Sequence, residues 1–236
     1  MLVDARSEAP LAVRRTADRI LFVGSAASPV GGDEIAIDVL VGAGATASIG
    51  TVAATSIWPG PGGDRSQIHT TIDVANGGHL DWWPEPLVSI VGSDHRSVTR
   101  VALGASASCT LFEEVSLGRS GQNSGTLELD LRVERDGRPI VHHAERFGPR
   151  EPGAGSVVGV GDAHHVISGV VIGPDAGEPV TLLEHDGRAA WLPVAVDAAM
   201  VLVVAIDRPT ALRLLKELHP IDRRCPARAQ RETLGA

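Results

Sequence analysis

Alternating apolar and polar residues recur along this 236-residue chain, and the runs stop at glycine-rich turn signals. Ile35–Val41 alternates and meets Gly42-Ala43-Gly44, and Leu127–Val133 is separated from Pro139–Glu145 by Asp136-Gly137. A period of two residues is typical of a strand with one face on a core. Asp-Gly tolerates the positive φ angles of a two-residue hairpin turn. The pattern therefore predicts a β-rich chain with a hairpin at Asp136-Gly137.

Helical periodicity is rare between these runs, which argues against a parallel sheet with helical crossovers. Thr46–Ile57 is a further strand-like run, and Val157–Val160, Val166–Ile172 and Met200–Ile206 are apolar at both parities, so both of their faces should be covered. We predict an all-β (mainly β) fold of stacked sheets or a β-solenoid-like body, although no fixed-period repeat is present. One or two short helices are expected near the C-terminus, and Pro209–Leu218 has the helical spacing.

The length fits one large β domain over residues 1–236. A candidate seam at 151–155 is followed at once by apolar runs, so it does not predict a boundary. Residues 1–11 and 222–236 are predicted to be flexible.

Charge and cysteine content narrow the class of protein. The net charge is -8, and no basic stripe interleaved with aromatic residues is present, which argues against nucleic-acid binding. Two cysteines, Cys109 and Cys225, are too few for a secreted disulfide framework. The apolar run Ile20–Val23 is too short for an export signal, and no run approaches the roughly 18–20 residues of a membrane span. We expect a soluble cytoplasmic protein without a membrane or nucleic-acid partner.

Motifs of common enzymes are missing from the sequence. It contains no Gly-x-Ser-x-Gly elbow, phosphate-binding Gly-x-x-x-x-Gly-Lys loop or His-Glu-x-x-His zinc motif. Gly42-Ala43-Gly44 lacks the third glycine and the helix of a dinucleotide loop. A hydrolase with paired carboxylates stays open, because only the fold sets their separation.

Adjacent histidines raise the question of a metal site. His142-His143 and His164-His165 could chelate an ion on a loop, but neighbours on a strand project to opposite faces. Glu113-Glu114 and Asp81 add oxygen donors without the spacing of a closed zinc site. A structural role for the histidines is favoured over chelation.

Two adjacent tryptophans stand out in a chain with 3% aromatic residues. Trp82 and Trp83 lie between Asp81 and Glu85 and are followed by Pro84. A β-sandwich binding module that uses Trp82 or Trp83 for carbohydrate is one interpretation. Strand alternation opposes it, because the two rings would lie on opposite faces and could not form one platform. One ring is expected in the core.

The order of several short elements resembles the urease accessory protein D family (UreD, called UreH in some bacteria), over about residues 12–147. The elements are Gly31-Gly32-Asp33, Val41-Gly42-Ala43-Gly44, Trp58, Gly77-Gly78-His79-Leu80-Asp81-Trp82-Trp83-Pro84, Glu113 five positions before Gly118-Arg119, and Arg135-Asp136-Gly137-Arg138. The resemblance implies a β-rich, non-catalytic scaffold or chaperone for metallocentre assembly. Its expected partners are the accessory proteins UreF and UreG and apo-urease. Nickel is expected as transient cargo, with no tightly bound cofactor.

Carried over by position, the resemblance assigns Asp33, Asp81 and Glu113 to a transient nickel path. It assigns Trp82, Pro84, Gly118 and Arg119 to partner binding. Glu113 could instead form a salt bridge with Arg119 or another arginine, and Gly118-Arg119 could be a simple turn.

The chain departs from the family pattern at two places. The family's Thr-Thr-Gln-Ala-type strand is Gly50-Thr51-Val52-Ala53-Ala54-Thr55 here, and no acid follows within Gly121–Gly125. These departures predict a divergent member with an altered partner surface or nickel path.

Overall fold

The computed structural model describes residues 4–149, 151, 152, 156, 159–173 and 176–218. Within them the chain is mainly β. The elements are β1 (Leu11–Arg15), β2 (Ile20–Gly24), β3 (Glu34–Val41), β4 (Thr46–Thr51), β5 (Thr55–Ile57), β6 (Ser66–Val74), β7 (His79–Trp82), β8 (Leu87–Ser89), β9 (Asp94–Leu103), β10 (Ser108–Leu117), β11 (Thr126–Arg135), β12 (Arg138–Phe147), β13 (His165–Ile172), β14 (Val180–Glu184), β15 (Gly187–Ala195), β16 (Ala198–Ala205) and α1 (Arg208–Leu218).

The strands form two stacked sheets. The large sheet has the order β1-β2-β4-β7-β10-β13-β16-β15-β14, with β5 and β8 joining it beside β10. The small sheet has the order β12-β11-β9-β6-β3. From β3 to β11 the chain passes repeatedly from one sheet to the other, so β3, β6, β9 and β11 are parallel neighbours. The predicted β-rich, solenoid-like body is confirmed. The parallel strands need no helical crossover because the return strand lies in the opposite sheet.

The predicted hairpin joins β11 and β12. Asp136 and Gly137 have φ angles of 48° and 72°, and Arg135 pairs with Arg138 across the turn. After β12 the chain enters an antiparallel part of the large sheet, formed by β13, β16, β15 and β14. The Asp-Gly pair therefore ends the solenoid-like winding with a turn that matches the strand twist.

Helix α1 confirms the helix expected near the C-terminus. Asp207 caps its N-terminus, because the backbone N–H of Thr210 donates to Asp207 Oδ1 at 2.9 Å. Ala211, Leu214, Leu215 and Leu218 are buried against the outer face of the large sheet. No described helix has the length and apolar character needed to cross a membrane.

Three apolar clusters hold these layers together. The first lies between the sheets and includes Val101, Leu111 and Leu131. The second packs α1 on the large sheet, and the third lies between the sheets around Leu127 and Val166. The inter-sheet core is therefore divided into two apolar parts.

Two strand predictions need correction. Thr46–Ile57 is not one strand, because pairing stops after β4 and resumes at β5. Of Val157–Val160, Gly159 and Val160 form a turn, and residues 157 and 158 lie outside the described residues. The predicted flexible segment 222–236 also lies outside them, whereas β1 begins at Leu11, the last residue of the other predicted flexible segment.

Candidate functional site

The large sheet is interrupted where two short segments lie next to each other. Residues 52–54 separate β4 from β5, and residues 83–86 separate β7 from β8. Pro84 and Pro86 lie in the second segment and have no N–H for a ladder. Strand β10 pairs with β7 through residues 108–111 and with β8 through 115–117. Residues 112–114 therefore border a gap, which we call the window.

A cavity of about 410 Å³ lies behind the window. Thr51, Pro84 and Glu85 line it on the window side. Thr70 and Thr99 from the small sheet, Trp82, Glu113 and Glu114 also line it. The interrupted strands thus connect the face of the large sheet with the space between the two sheets.

Glu113 is the buried acid of this cavity. Only 9% of its surface is exposed, and its Oε1 accepts a hydrogen bond from Thr99 Oγ1 at 2.8 Å. Burial raises the pKa of Glu113 to about 7, although the Thr99 hydrogen bond opposes the shift. The side chain can therefore hold a proton near neutral pH and release it when a cation approaches.

Polar side chains of the small sheet lie near Glu113, and we call Glu113, Thr70, Thr99, His143 and Glu145 the polar layer. Strand register pairs Thr70 of β6 with Thr99 of β9. His143 of β12 lies in the same row, but the apolar Leu131 of β11 stands between it and Thr99. The charges of His143 and Glu145 act on the pKa of Glu113. His143 Nε2 lies 3.3 Å from Glu145 Oε2, and their side chains are 25% and 17% exposed. The hydrogen bond and charge of Glu145 raise the pKa of His143 despite partial burial. The polar layer lies between the two inter-sheet apolar clusters except at β11, where Leu129 and Leu131 take its place, and its partly exposed end is at β12.

Glu114 points away from Glu113, to the outer face of the large sheet. His165 Nε2 lies 2.9 Å from Glu114 Oε1, Trp83 Nε1 donates to Oε2 at 3.3 Å, and Arg208 Nε donates to Oε1. Burial alone would raise the pKa of Glu114, but the hydrogen bonds of His165 and Arg208 outweigh it and hold the pKa low. Arg208 also donates to Glu85 Oε2 at 2.8 Å, so α1 is tied to the rim of the window.

The three acids assigned to a nickel path do not meet. Asp33 accepts hydrogen bonds from Ser28 Oγ at 2.6 Å and from the N–H of Val30 at 2.9 Å, which lower its pKa and fix a turn beside the cavity. Asp81 is buried on the outer face of the large sheet, where its Oδ1 lies 3.2 Å from His79 Nε2. Of the three, only Glu113 lines the cavity.

The tryptophans lie on opposite faces, as alternation predicts. Trp82 is 6% exposed and packs in the inter-sheet core, with its ring centroid 6.1 Å from that of Phe22. Trp83 lies 4.9 Å from Phe112, centroid to centroid, on the outer face. They form no common platform, so the arrangement does not favour the carbohydrate interpretation.

Gly118 and Arg119 form a turn after β10. Gly118 has a φ angle of 87°, and a Cβ there would lie 2.3 Å from the carbonyl oxygen of Gln122. The guanidinium of Arg119 stacks 4.4 Å from the ring centroid of Trp58, which is 38% exposed and lines the cavity. Arg119 therefore makes a cation–π contact in place of the salt bridge with Glu113 that was one alternative.

Sequence reasoning missed Thr70, Thr99 and Glu145, and it considered His143 only as a member of the His142-His143 pair. What could have revealed them is a polar residue at a strand position that points toward the core. On β9, for example, Thr99 lies on the same face of the strand as Val101 and Leu103. Within the described residues, no group of three or more His, Cys, Asp or Glu side chains could hold a metal ion.

The fold and site define a solenoid-like β-sandwich with a polar layer buried between its sheets. The sequence model of the UreD urease accessory protein family matches residues 1–221. Urease accessory protein UreD of Parafrankia sp. is 34% identical over 243 residues, covering 92% of this chain and 82% of that protein. UreD 3 of Streptomyces griseus is 36% identical, with 89% and 86% covered, and UreD of Streptomyces coelicolor is 37% identical, with 89% and 85% covered. The chain belongs to the UreD urease accessory protein family.

Proposed function

We propose that this protein is a non-catalytic urease maturation factor of the cytoplasm, which binds apo-urease together with UreF and UreG and assists nickel delivery to the urease active site. Family membership supports the accessory role. The observation that carries the nickel proposal is a buried carboxylate, Glu113, which lines the cavity behind the window and whose pKa responds to the charges of His143 and Glu145 on the edge strand β12.

The donors in the polar layer suit a cation that moves. A tight nickel or zinc site holds its ion with several nitrogen, sulfur or oxygen ligands, whereas Glu113 brings one carboxylate and the threonines bring neutral hydroxyls. His143 and Glu145 add one imidazole and one carboxylate near β12. A cation would exchange between such incomplete sites in short steps, and its binding to Glu113 would release the proton held there.

Urease activation in a reconstituted system tests the proposal. We expect Glu113→Ala to lower the nickel content and activity of co-expressed urease several-fold while complexes with UreF, UreG and apo-urease still form. Glu134→Ala is a matched control, because Glu134 is exposed on the outer side of β11. Wild-type activation by Glu113→Ala would contradict the nickel path, and failure of the wild-type protein to bind UreF or apo-urease would contradict the maturation role.

A further inference from the structure

One edge of strand β12 pairs with no strand of the described chain, and we call it the free edge. The strand ends the small sheet and, among the described residues, pairs only with β11. Alternate residues of an antiparallel strand direct their N–H and C=O groups away from the neighbouring strand. The register is regular from Val141 to Phe147, while Pro139 and the register shift at Val133/Glu134 lie near the hairpin. The regular part of the edge therefore lacks the proline or bulge that commonly protects an edge strand.

The large sheet continues past this edge. Beyond β16 it adds β15 and β14, and the Arg135–Asp197 ion pair, at 2.5 Å, ties the end of β11 to the β15–β16 turn. On β15, Ala189 and Trp191 are buried toward α1, so Leu192 points to the side of the small sheet. Leu192 is 38% exposed, and Leu183 on β14 is 78% exposed. These two leucines, which we call the apolar shelf, lie on the face of β14 and β15 toward the small sheet, with Thr181 and Ala190 between them.

We propose that the β12 edge accepts an extended segment of a partner protein as a sixth strand of the small sheet. The free backbone groups require an extended main chain, and alternate side chains of that segment would cover the shelf. On the other face, β12 presents Arg138, His142 and Arg146. His142 and Arg146 lie 3.3 and 3.8 Å from Asp130 and Glu128 of β11, and their side chains remain 53% and 54% exposed toward the free edge. The matching segment carries apolar residues at one parity and acidic residues at the other. This inference rests on sheet geometry and goes beyond the proposed function.

Charge argues for a partner in preference to a second copy of this chain. An antiparallel β12–β12 pair centred on His142 would place Arg138 opposite Arg146 on both sides of the axis. Like charges directly opposite each other destabilise a strand pair. An acidic segment gives opposite charges at the same positions.

A synthetic peptide tests the edge directly. The probe is a capped, fluorescent eight-residue peptide of alternating glutamate and valine, titrated into the full-length protein and followed by anisotropy. We expect saturable binding with a Kd on the order of 10–100 μM, because the peptide must be ordered on binding. Hydrogen exchange should slow at amides within 140–147. Two control peptides carry backbone N-methyl groups at alternate residues in opposite phases, and one phase should lose binding.

Variants of the shelf locate the contact. We expect Leu192→Asp to weaken peptide binding at least about tenfold, since it places a charge against the valine side chains of the peptide. Leu40→Asp is the matched control, because Leu40 is 82% exposed on β3 at the opposite edge of the small sheet. Equal binding of both methylated peptides, unchanged binding by Leu192→Asp, or no slowing at β12 would overturn the proposal. So would a concentration-dependent homodimer that protects the same amides.

Discussion

Neighbouring carboxylates on β10 have opposite surroundings. Glu113 points between the sheets, where burial raises its pKa to about 7. Glu114 points to the outer face, where His165 and Arg208 keep its pKa low despite burial. Neighbouring side chains of a strand point to opposite faces of the sheet. Glu113 can therefore exchange a proton near neutral pH, whereas the adjacent Glu114 stays an anion and anchors α1.

The raised pKa of Glu113 predicts a pH-dependent stability. Above its ordinary pKa of 4.5 the unfolded side chain ionises, whereas the folded one keeps its proton up to about pH 7. The folded state therefore binds the extra proton in this window, and the free energy of unfolding falls as pH rises through it, by at most about 1.4 kcal/mol per pH unit. Glu113→Gln should remove this component, so the variant should gain stability relative to wild type between pH 5 and about 7.

Urea unfolding of both proteins at several pH values measures the difference. Glu134→Gln serves as the control, since Glu134 is exposed and should give parallel curves. A difference in the free energy of unfolding between Glu113→Gln and wild type that did not change with pH would contradict the raised pKa of Glu113 in the folded protein.

At the level of elements, the window is made by strand interruptions that the sequence signals only in part. The prolines at 84 and 86 indicate a break after Trp82, and the structure places one there. The small residues Val52-Ala53-Ala54 carry no comparable signal, so Thr46–Ile57 is predicted as one strand. The interruption at residues 52–54 lies beside the one at residues 83–86 only because β5 pairs with β8, which is a contact between segments distant in the sequence.

The ion pair between Glu114 and Arg208 predicts how firmly α1 is held. Arg208→Met leaves Glu114, whose side chain is fully buried, without its only arginine partner among the described residues. Breaking a buried pair costs about 3–5 kcal/mol, and we expect about 2–3 kcal/mol here because 35% of Arg208 is exposed to solvent. Hydrogen exchange at α1 amides should accelerate accordingly.

Arg213→Met is the matched control on the same helix. Arg213 pairs with Glu184 and Glu217 at the surface, where solvent screens the charges, and we expect little change in stability or exchange. Equal effects of the two substitutions would mean that the Glu114 network does not hold the helix.

Across the whole molecule, the hairpin, most strands and α1 could be predicted, because they depend on local periodicity and turn chemistry. The polar layer could not. Thr70 and Thr99 lie far apart in the sequence and become neighbours only through the order and register of the strands. His143 shares their row for the same reason, on the other side of Leu131. Asp81 illustrates the converse, since a residue in a recognisable motif lies on the outer face, away from the cavity.

The polar layer also costs stability, because hydroxyl and carboxyl groups divide an apolar core. Replacing both members of a buried hydrogen-bonded pair by apolar groups of similar shape is often neutral or stabilising. We therefore expect Glu113→Leu/Thr99→Val to fold normally, with an unchanged or higher free energy of unfolding. Under the proposed function the same double variant should fail to activate urease, since hydrocarbon would block the layer.

A second buried polar pair provides the control for this prediction. Ser66 Oγ lies 2.8 Å from His95 Nδ1, and burial lowers the pKa of His95 to about 4, so this pair is neutral at neutral pH. Ser66→Val/His95→Leu removes similar groups from the small sheet outside the cavity lining, and urease activation should persist. Both measurements use the same reconstituted system and urea unfolding. Loss of activation by both double variants would indicate a general packing defect, and retained activation by Glu113→Leu/Thr99→Val would exclude the layer as the route of nickel.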